Sequence, residues 1–141
     1  MRPHKILIMG LPGSGKTTLA KVLSPMLNAA HWHADEVRAT INSHLGFSAE
    51  DRIKHAERMS WLCDNVNRSG INTVADFICP LPEARKAFNA NFVIYMDTIK
   101  EGRFADTNKM FVPPEIAHWV ITTFDAENHA QELVKHLSKN V

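Results

Sequence analysis

A chain of 141 residues, 45% of them hydrophobic, is long enough for one domain with a substantial core. Its formal net charge of +1 provides no strong field toward nucleic acid or an anionic membrane, so neither partner is expected. Two cysteines without metal-ligand spacing, and an N-terminal apolar run too short for a signal peptide or membrane span, predict a cytoplasmic protein.

The first half of the chain alternates predicted strands and helices. Residues 6–9 form a short apolar run that is typical of a buried parallel strand, and a helix with an apolar face is expected from Gly15. A second strand is predicted at 29–32 and a short helix at 35–41. Ser48 has the character of an N-cap for a long helix that extends to about Ser69.

The second half continues the alternation. The predicted elements are a strand at 71–75, a helix at 83–89, a strand at 92–96, a helix followed by a loop or lid within 98–114, a strand at 118–122 and a helix at 126–138. Strands that alternate with helices indicate an α/β fold. We therefore predict a single domain over residues 1–141, a three-layer sandwich of the P-loop NTPase type with a mostly parallel sheet.

A phosphate loop lies between the first strand and the first helix. The pattern G-x-x-x-x-G-K-[ST] is filled at its fixed positions by Gly10, Gly15, Lys16 and Thr17, and it has the strand and helix that the motif requires. Lys16 is predicted to reach the β- and γ-phosphates and to be catalytic, and the Thr17 hydroxyl to ligate Mg²⁺. The predicted nucleotide contacts in the loop are Gly10, Pro12, Gly13, Ser14, Gly15, Lys16, Thr17 and Thr18.

Four further segments resemble one family. Residues 33–38 read H-A-D-E-V-R against the motif D-G-D-N-x-R, and residues 45–52 preserve L-G-F-S-x-x-D-R intact. Residues 77–80 read F-I-C-P against F-I-S-P, and residues 95–98 end in the D-T step. With the phosphate loop, this combination resembles the adenylylsulfate (APS) kinases from Lys5 onward. The resemblance implies a phosphotransferase that uses ATP and Mg²⁺ to phosphorylate the 3′-hydroxyl of adenosine 5′-phosphosulfate.

The resemblance also implies roles for particular residues. Asp35 would be the general base for the acceptor hydroxyl, or a magnesium residue, or both. Arg38 and Arg52 would hold an acceptor anion, and Phe47 would stack on an acceptor base. In the lid, Arg103 would act on the nucleotide and Lys109 on the acceptor. The remaining implied substrate contacts are His55, Phe77 and Ile78.

Departures from the family pattern fall on the acceptor side. His33, His55 and Cys79 replace an Asp, an Asn and a Ser of the motifs. Residues 102–111 resemble the family's lid only weakly. The family's F-T-G-I-D-D segment, which supplies an aromatic face for the acceptor's adenine, has no counterpart in this sequence. We expect Phe104 or Phe111 to compensate for that face.

Two alternatives stay open at this stage. One is a kinase of the same fold for another hydroxyl acceptor, such as a nucleoside, a modified base or a sugar. The other is a nucleotide-binding regulatory module without turnover, which the intact Lys16, Thr17 and Asp35 argue against. The resemblance also leaves a homodimer open.

Overall fold

Five parallel strands form the sheet at the centre of this computed structural model, which describes residues 2–139. The strands are β1 Lys5–Met9, β2 Ala30–His33, β3 Thr73–Asp76, β4 Phe92–Met96 and β5 Trp119–Ile121. Their order is β2-β3-β1-β4-β5, and each neighbouring pair is parallel. The predicted P-loop α/β fold is confirmed.

Helices cover both faces of the sheet. They are α1 Lys16–Met26, α2 Ala34–Ala39, α3 Ala49–Asn67, α4 Pro82–Phe88, α5 Ala105–Met110 and α6 Ala126–Lys139. Ser48 caps α3, as predicted, because its hydroxyl accepts a hydrogen bond of 3.1 Å from the Asp51 backbone N–H. Pro82 begins α4, where its missing N–H costs no helical hydrogen bond.

The core is divided by the sheet into two layers. Side chains alternate along a strand, so Ile6 and Ile8 of β1 pack with α1 and α6, whereas Leu7 and Met9 pack with α3 and α4. All four are fully buried. This double burial explains why the first strand is an uninterrupted apolar run, and it fixes β1 as the rigid support of the loop that follows.

The segment after β4 differs from its prediction. The chain is irregular from Asp97 to Phe104 and only then forms α5, so the predicted order of helix and lid is reversed. Asn108 is responsible for part of this geometry: its side chain accepts from the Gly102 N–H at 2.8 Å and donates to the Gly102 carbonyl at 3.0 Å. A polar side chain that bonds backbone outside the helix closes the segment into a lid whose tip precedes α5.

The carboxyl ends of three adjacent strands meet at one edge of the sheet. β1 ends before Gly10, β2 ends at His33 and β3 ends at Asp76. Ligands of open parallel sheets bind at this edge. Within residues 2–139, no helix is both long and apolar enough to cross a bilayer.

Candidate active site

The phosphate loop depends on backbone conformations that favour glycine. Gly10 has φ of 153°, and a Cβ there would come within 2.8 Å of the Met96 carbonyl oxygen. Gly15 caps α1 with φ of 97°, in the left-handed region. The loop closes on itself through a hydrogen bond of 3.1 Å from the Ser14 N–H to the Leu11 carbonyl. The first turn of α1 therefore presents its free N–H groups to the mouth of the loop.

Lys16 lies inside this loop. Its side chain is 9% exposed, and Nζ donates to the Leu11 carbonyl at 2.9 Å. Burial lowers the pKa of Lys16 to about 8, against the opposing effect of Asp76 and Asp35. An ammonium group that has lost most of its hydration gains more from a bound phosphate than a solvated one does.

Asp76 is a candidate site residue that was not predicted from the sequence. Its carboxylate is 1% exposed, and its Oδ1 accepts a hydrogen bond of 3.0 Å from the Thr17 hydroxyl. Nδ1 of His33 lies 2.7 Å from the same oxygen, and Nε2 of His31 contacts the other one, Oδ2. A signal was available, since an Asp at the end of a buried strand beside the phosphate-loop strand is where P-loop proteins place a magnesium carboxylate. The predicted strand stopped one residue short, at Ala75.

The donor atoms here suit a divalent cation that is held jointly with a nucleotide. In the part of the chain that the structure describes, no group of three or more His, Cys, Asp or Glu residues is arranged to hold a metal ion. The Thr17 hydroxyl and the Asp76 carboxylate supply two oxygens of the kind that Mg²⁺ prefers, and phosphates would supply others. Asp35, also predicted as a metal residue, lies at the rim of this cluster, with Oδ2 3.6 Å from Nε2 of His33.

A cavity of about 830 Å³ extends from the phosphate loop along the carboxyl edge of the sheet. It brings together most of the residues predicted for phosphate and acceptor: Pro12, Gly13, Lys16, Thr17, Asp35, Arg38, Phe47, Arg52, His55, Phe77, Ile78 and Arg103. Lys109 is exposed on α5 and is not among the residues that line this cavity. Phe104 lines the cavity, whereas Phe111 does not, because it stacks on Tyr95 with ring centroids 6.0 Å apart.

Two arginines and an aromatic ring form the outer part of the cavity wall that is predicted to bind the acceptor, called the acceptor side below. The guanidinium carbon of Arg38 lies 4.6 Å from the Phe47 ring centroid, and that of Arg52 lies 5.4 Å from it. Each arginine also donates to backbone: Arg38 to the Gly46 carbonyl at 2.9 Å and Arg52 to the Phe47 carbonyl at 3.0 Å. Phe47 is still 65% exposed. The predicted aromatic contact is therefore held in place by cations that also face the cavity.

His55 lies in the inner part of this predicted acceptor side. It is 2% exposed, and its Nδ1 lies 2.7 Å from Nδ2 of Asn42. Burial, together with the charges of Arg38, Arg52 and Arg58, lowers the pKa of His55 to about 3, so the ring is neutral near pH 7. Nδ1 accepts the Asn42 hydrogen bond, which places the proton on Nε2, a buried atom that has no hydrogen-bond partner among residues 2–139. His55 therefore lines the cavity as a neutral ring whose one N–H donor is buried.

The lid approaches the phosphate loop closely. A Cβ on Gly102 would lie 2.9 Å from Cδ of Pro12, so this contact requires glycine or a shift of the lid. The next residue, Arg103, lines the cavity and lowers the pKa of Lys16 slightly by charge repulsion. Two cations, one from the loop and one from the lid, thus face the same space, which favours a polyanion there.

Behind the residues predicted to bind the acceptor, the wall of the cavity is formed by side chains of the hydrophobic core. Phe77, predicted as a substrate contact, is 7% exposed and packs edge-on against His55 and Phe88. Cys79 is 2% exposed, and burial raises the pKa of its thiol to about 12. A thiol with that pKa is protonated near neutral pH and is a poor nucleophile.

A second cavity, of about 530 Å³, lies on the other side of the loop. Gly15 and Thr18, both predicted nucleotide contacts, line it together with Phe124, which is 65% exposed. Thr123 and Asp125, beside Phe124 after β5, also line it. No residue of this segment was predicted to contact a ligand, although the end of a parallel strand is where ligand contacts are expected.

A sequence model of the family described as adenylylsulphate kinase matches residues 2–106. The chain belongs to the adenylylsulphate kinase family. It is 38% identical over 102 residues to the adenylyl-sulfate kinase of Clostridium kluyveri, and the aligned region covers 65% of this chain and 51% of that protein. It is 33% identical over 85 residues to the probable adenylyl-sulfate kinase of Aeropyrum pernix, and here the aligned region covers 57% of this chain and 46% of that protein. This chain thus spans about half the length of these curated relatives.

Solved structures share its fold. The APS kinase of Mycobacterium tuberculosis in complex with AMPPNP and APS superimposes with a TM-score of 0.83 at 21% identity, over 97% of this chain and 98% of that one. A sugar kinase from Janibacter has a TM-score of 0.67 at 18% identity, over 97% and 93%. The fold therefore extends beyond the family to kinases with other names.

Proposed function

We propose that this protein is an ATP-dependent kinase that transfers the γ-phosphate of ATP to the 3′-hydroxyl of adenosine 5′-phosphosulfate, with residues 1–141 acting as one kinase domain. One observation carries the proposal. The phosphate loop, with Lys16 and Thr17, and the acceptor residues of the family motifs, with Asp35 and Arg52, face a single cavity. Family membership supports the same activity.

On the donor side, the loop N–H groups and Lys16 bind the triphosphate, and the base lies in the second cavity against Phe124. An exposed aromatic ring beside the loop is suited to a purine face. Thr17 and Asp76 would hold Mg²⁺, which when bound neutralises charge on the β- and γ-phosphates. Arg103 from the lid stabilises the charge that develops on the transferred group and helps to exclude water.

On the acceptor side, Asp35 accepts the proton of the attacking hydroxyl. Its exposed position at the cavity rim lets it reach a hydroxyl between the two substrates. Arg38 and Arg52 bind the phosphosulfate group, and Phe47 stacks on the adenine. His55 lines the cavity beside the acceptor as a neutral side chain.

The test is an ATP-consumption assay with Mg²⁺ and one acceptor at a time: APS, nucleosides and sugars. Mass spectrometry of the products identifies the phosphorylated species. We expect a doubly phosphorylated nucleotide only with APS and the wild-type protein, with little product from Asp35→Asn. Turnover of a different acceptor, with none of APS, would contradict the proposed substrate and leave the proposed phosphoryl transfer intact.

A second candidate is a kinase for a smaller anionic alcohol. Two contacts favour it. Arg38 lies over the Phe47 ring, and Phe111 is stacked on Tyr95 and therefore does not supply a second aromatic face to the cavity. An acceptor without a base would need the two arginines and not the ring. The same assay decides between the candidates. A homodimer and a cytoplasmic location stay predictions.

A further inference from the structure

We propose that His33 supplies a nitrogen ligand to the divalent cation of the nucleotide complex, so that this site favours transition ions such as Mn²⁺ over Mg²⁺. The inference rests on nucleotide binding at the phosphate loop, which is one part of the proposed function. It does not depend on which acceptor is phosphorylated.

Three donor atoms form a small triangle at the loop. Thr17 Oγ1 and Asp76 Oδ1 are 3.0 Å apart, His33 Nδ1 and Asp76 Oδ1 are 2.7 Å apart, and Thr17 Oγ1 and His33 Nδ1 are 3.4 Å apart. Neighbouring ligands of an octahedral ion with ligand distances of about 2.1 Å are separated by about 3.0 Å. The three atoms therefore match one face of an octahedron, and the opposite face is left for phosphate oxygens and water.

The surroundings orient these donors. Nε2 of His31 contacts Asp76 Oδ2 and thereby leaves Oδ1 directed at Thr17. The second ring nitrogen of His33, Nε2, lies 3.6 Å from the Asp35 carboxylate. Histidines that bind metals usually direct their other N–H to a carboxylate, which fixes the tautomer with the ligating nitrogen free of its proton. At 3.6 Å the Asp35 carboxylate is just beyond hydrogen-bond distance, and its side chain is 87% exposed, so a change of rotamer would let it accept this N–H.

A nitrogen ligand changes the choice of ion. Mg²⁺ is a hard cation that prefers oxygen ligands, whereas imidazole favours first-row transition ions. The family motif has an aspartate at position 33, which would present oxygen. A histidine there, within 2.7 Å of the carboxylate that Thr17 also contacts, replaces an oxygen donor by a nitrogen donor in the same place.

The alternative is that His33 only hydrogen-bonds Asp76. In that arrangement Nδ1 keeps its proton when the cation binds, and no nitrogen contacts the ion. The two arrangements differ in whether a metal–nitrogen bond exists, which a spectroscopic measurement can detect without any enzyme activity.

The direct experiment uses the wild-type protein, labelled with ¹⁵N, and bound to Mn²⁺ and unlabelled ADP. Electron spin-echo envelope modulation detects nitrogen bound to Mn²⁺, and the ¹⁵N label separates protein nitrogen from the adenine. We expect a strong ¹⁵N coupling in the wild type, retained in His44→Gln, at an exposed histidine that does not line the cavity, and lost in His33→Asp. Bound Mn²⁺·ADP without that coupling in the wild type would overturn the inference, and this result needs no variant to fold.

An equilibrium measurement complements the spectrum. Dissociation constants for Mn²⁺·ADP and Mg²⁺·ADP are compared by calorimetry for the wild type and His33→Asp. We expect the preference for Mn²⁺ to fall at least about tenfold in the variant, since even outer-shell partners change metal affinity by about 10- to 100-fold. An unchanged ratio would contradict the proposal, whereas failure to phosphorylate APS would contradict only the proposed acceptor.

Discussion

In the phosphate loop the candidate binding groups are backbone N–H groups held by glycine conformations, whereas on the predicted acceptor side they are side chains that already contact one another. Gly10 and Gly15 define the loop through φ values that other residues rarely adopt. Arg38, Phe47 and Arg52 instead hold one another through ring and carbonyl contacts. A backbone site tolerates changes around it, whereas a site of paired side chains changes specificity when one member is replaced. This difference is consistent with the departures at His55 and in the lid, whereas His33 is an exception, because its ring contacts Asp76 and Thr17 at the loop.

The largest effect is expected from removing the one charged side chain of the loop. Lys16→Ala should lower kcat by at least about 10³-fold, comparable with the loss of another cation that contacts the transferred phosphate. The measurement is steady-state turnover of ATP with the acceptor that the assay of APS, nucleosides and sugars identifies. Lys21→Ala, at an exposed lysine of the same helix, is the control and should leave turnover unchanged. Near wild-type activity in Lys16→Ala would show that the donor site does not act through this lysine.

A smaller loss of kcat is expected from changing Asp35, which lies between the phosphate loop and the acceptor side. Asp35→Asn should lower kcat by about 10²-fold while the KM for ATP changes little, because a lost general base affects the chemical step. Glu36→Gln, at the next exposed carboxylate of α2, is the matched control. If both variants behave alike, Asp35 contributes only charge at the start of α2.

Replacing one residue of the acceptor side should change the KM for the acceptor much more than the KM for ATP. Arg52→Ala should raise the KM for the acceptor about 10- to 100-fold, since a charge-assisted hydrogen bond contributes about 1.5–3 kcal/mol. The KM for ATP should change much less, because Arg52 contacts Phe47 and not the loop. Arg68→Ala, at an exposed arginine just beyond the same helix, is the control. Equal changes in both KM values would mean that Arg52 supports the fold of the whole cavity.

The sequence predicted the parts of the molecule that depend on local patterns. Apolar runs located the strands, Ser48 located the start of α3, and the spaced glycines located the loop, because each signal lies within a few residues of the feature it specifies. The order of lid and α5 was wrong. The bonds between Gly102 and Asn108 that shape this segment leave no trace in hydrophobic periodicity.

The missed parts of the site depend on contacts that are distant in sequence. Asp76 becomes a site residue because β3 lies beside β1, which brings its carboxylate to Thr17, 59 positions away. Phe111 was a candidate acceptor contact until its packing on Tyr95 of β4 was known. Pairings of this kind follow from the tertiary arrangement of the strands, which sequence periodicity does not specify.

The smallest predicted effect tests whether the acceptor side is as buried as its contacts indicate. Burial and three nearby arginines lower the folded-state pKa of His55 from 6.5 to about 3. The unfolded chain therefore binds a proton near pH 6.5 that the folded protein does not accept until about pH 3. Stability contributed by the neutral His55 is thus present above pH 6.5 and decreases as the pH falls toward 3.

His55→Asn, which restores the residue of the family motif, removes this proton linkage. Between pH 7.5 and pH 5.5 the wild type should lose about 1.4 kcal/mol more unfolding free energy than the variant. Urea denaturation at the two pH values measures the difference, and the other titrating groups, including His4, contribute equally to both proteins. His44→Asn, at an exposed histidine, controls for the exchange of histidine for asparagine. Equal pH dependence in wild type and His55→Asn would mean that water reaches the His55 ring, and the acceptor side would then be an open surface whose donors are already solvated.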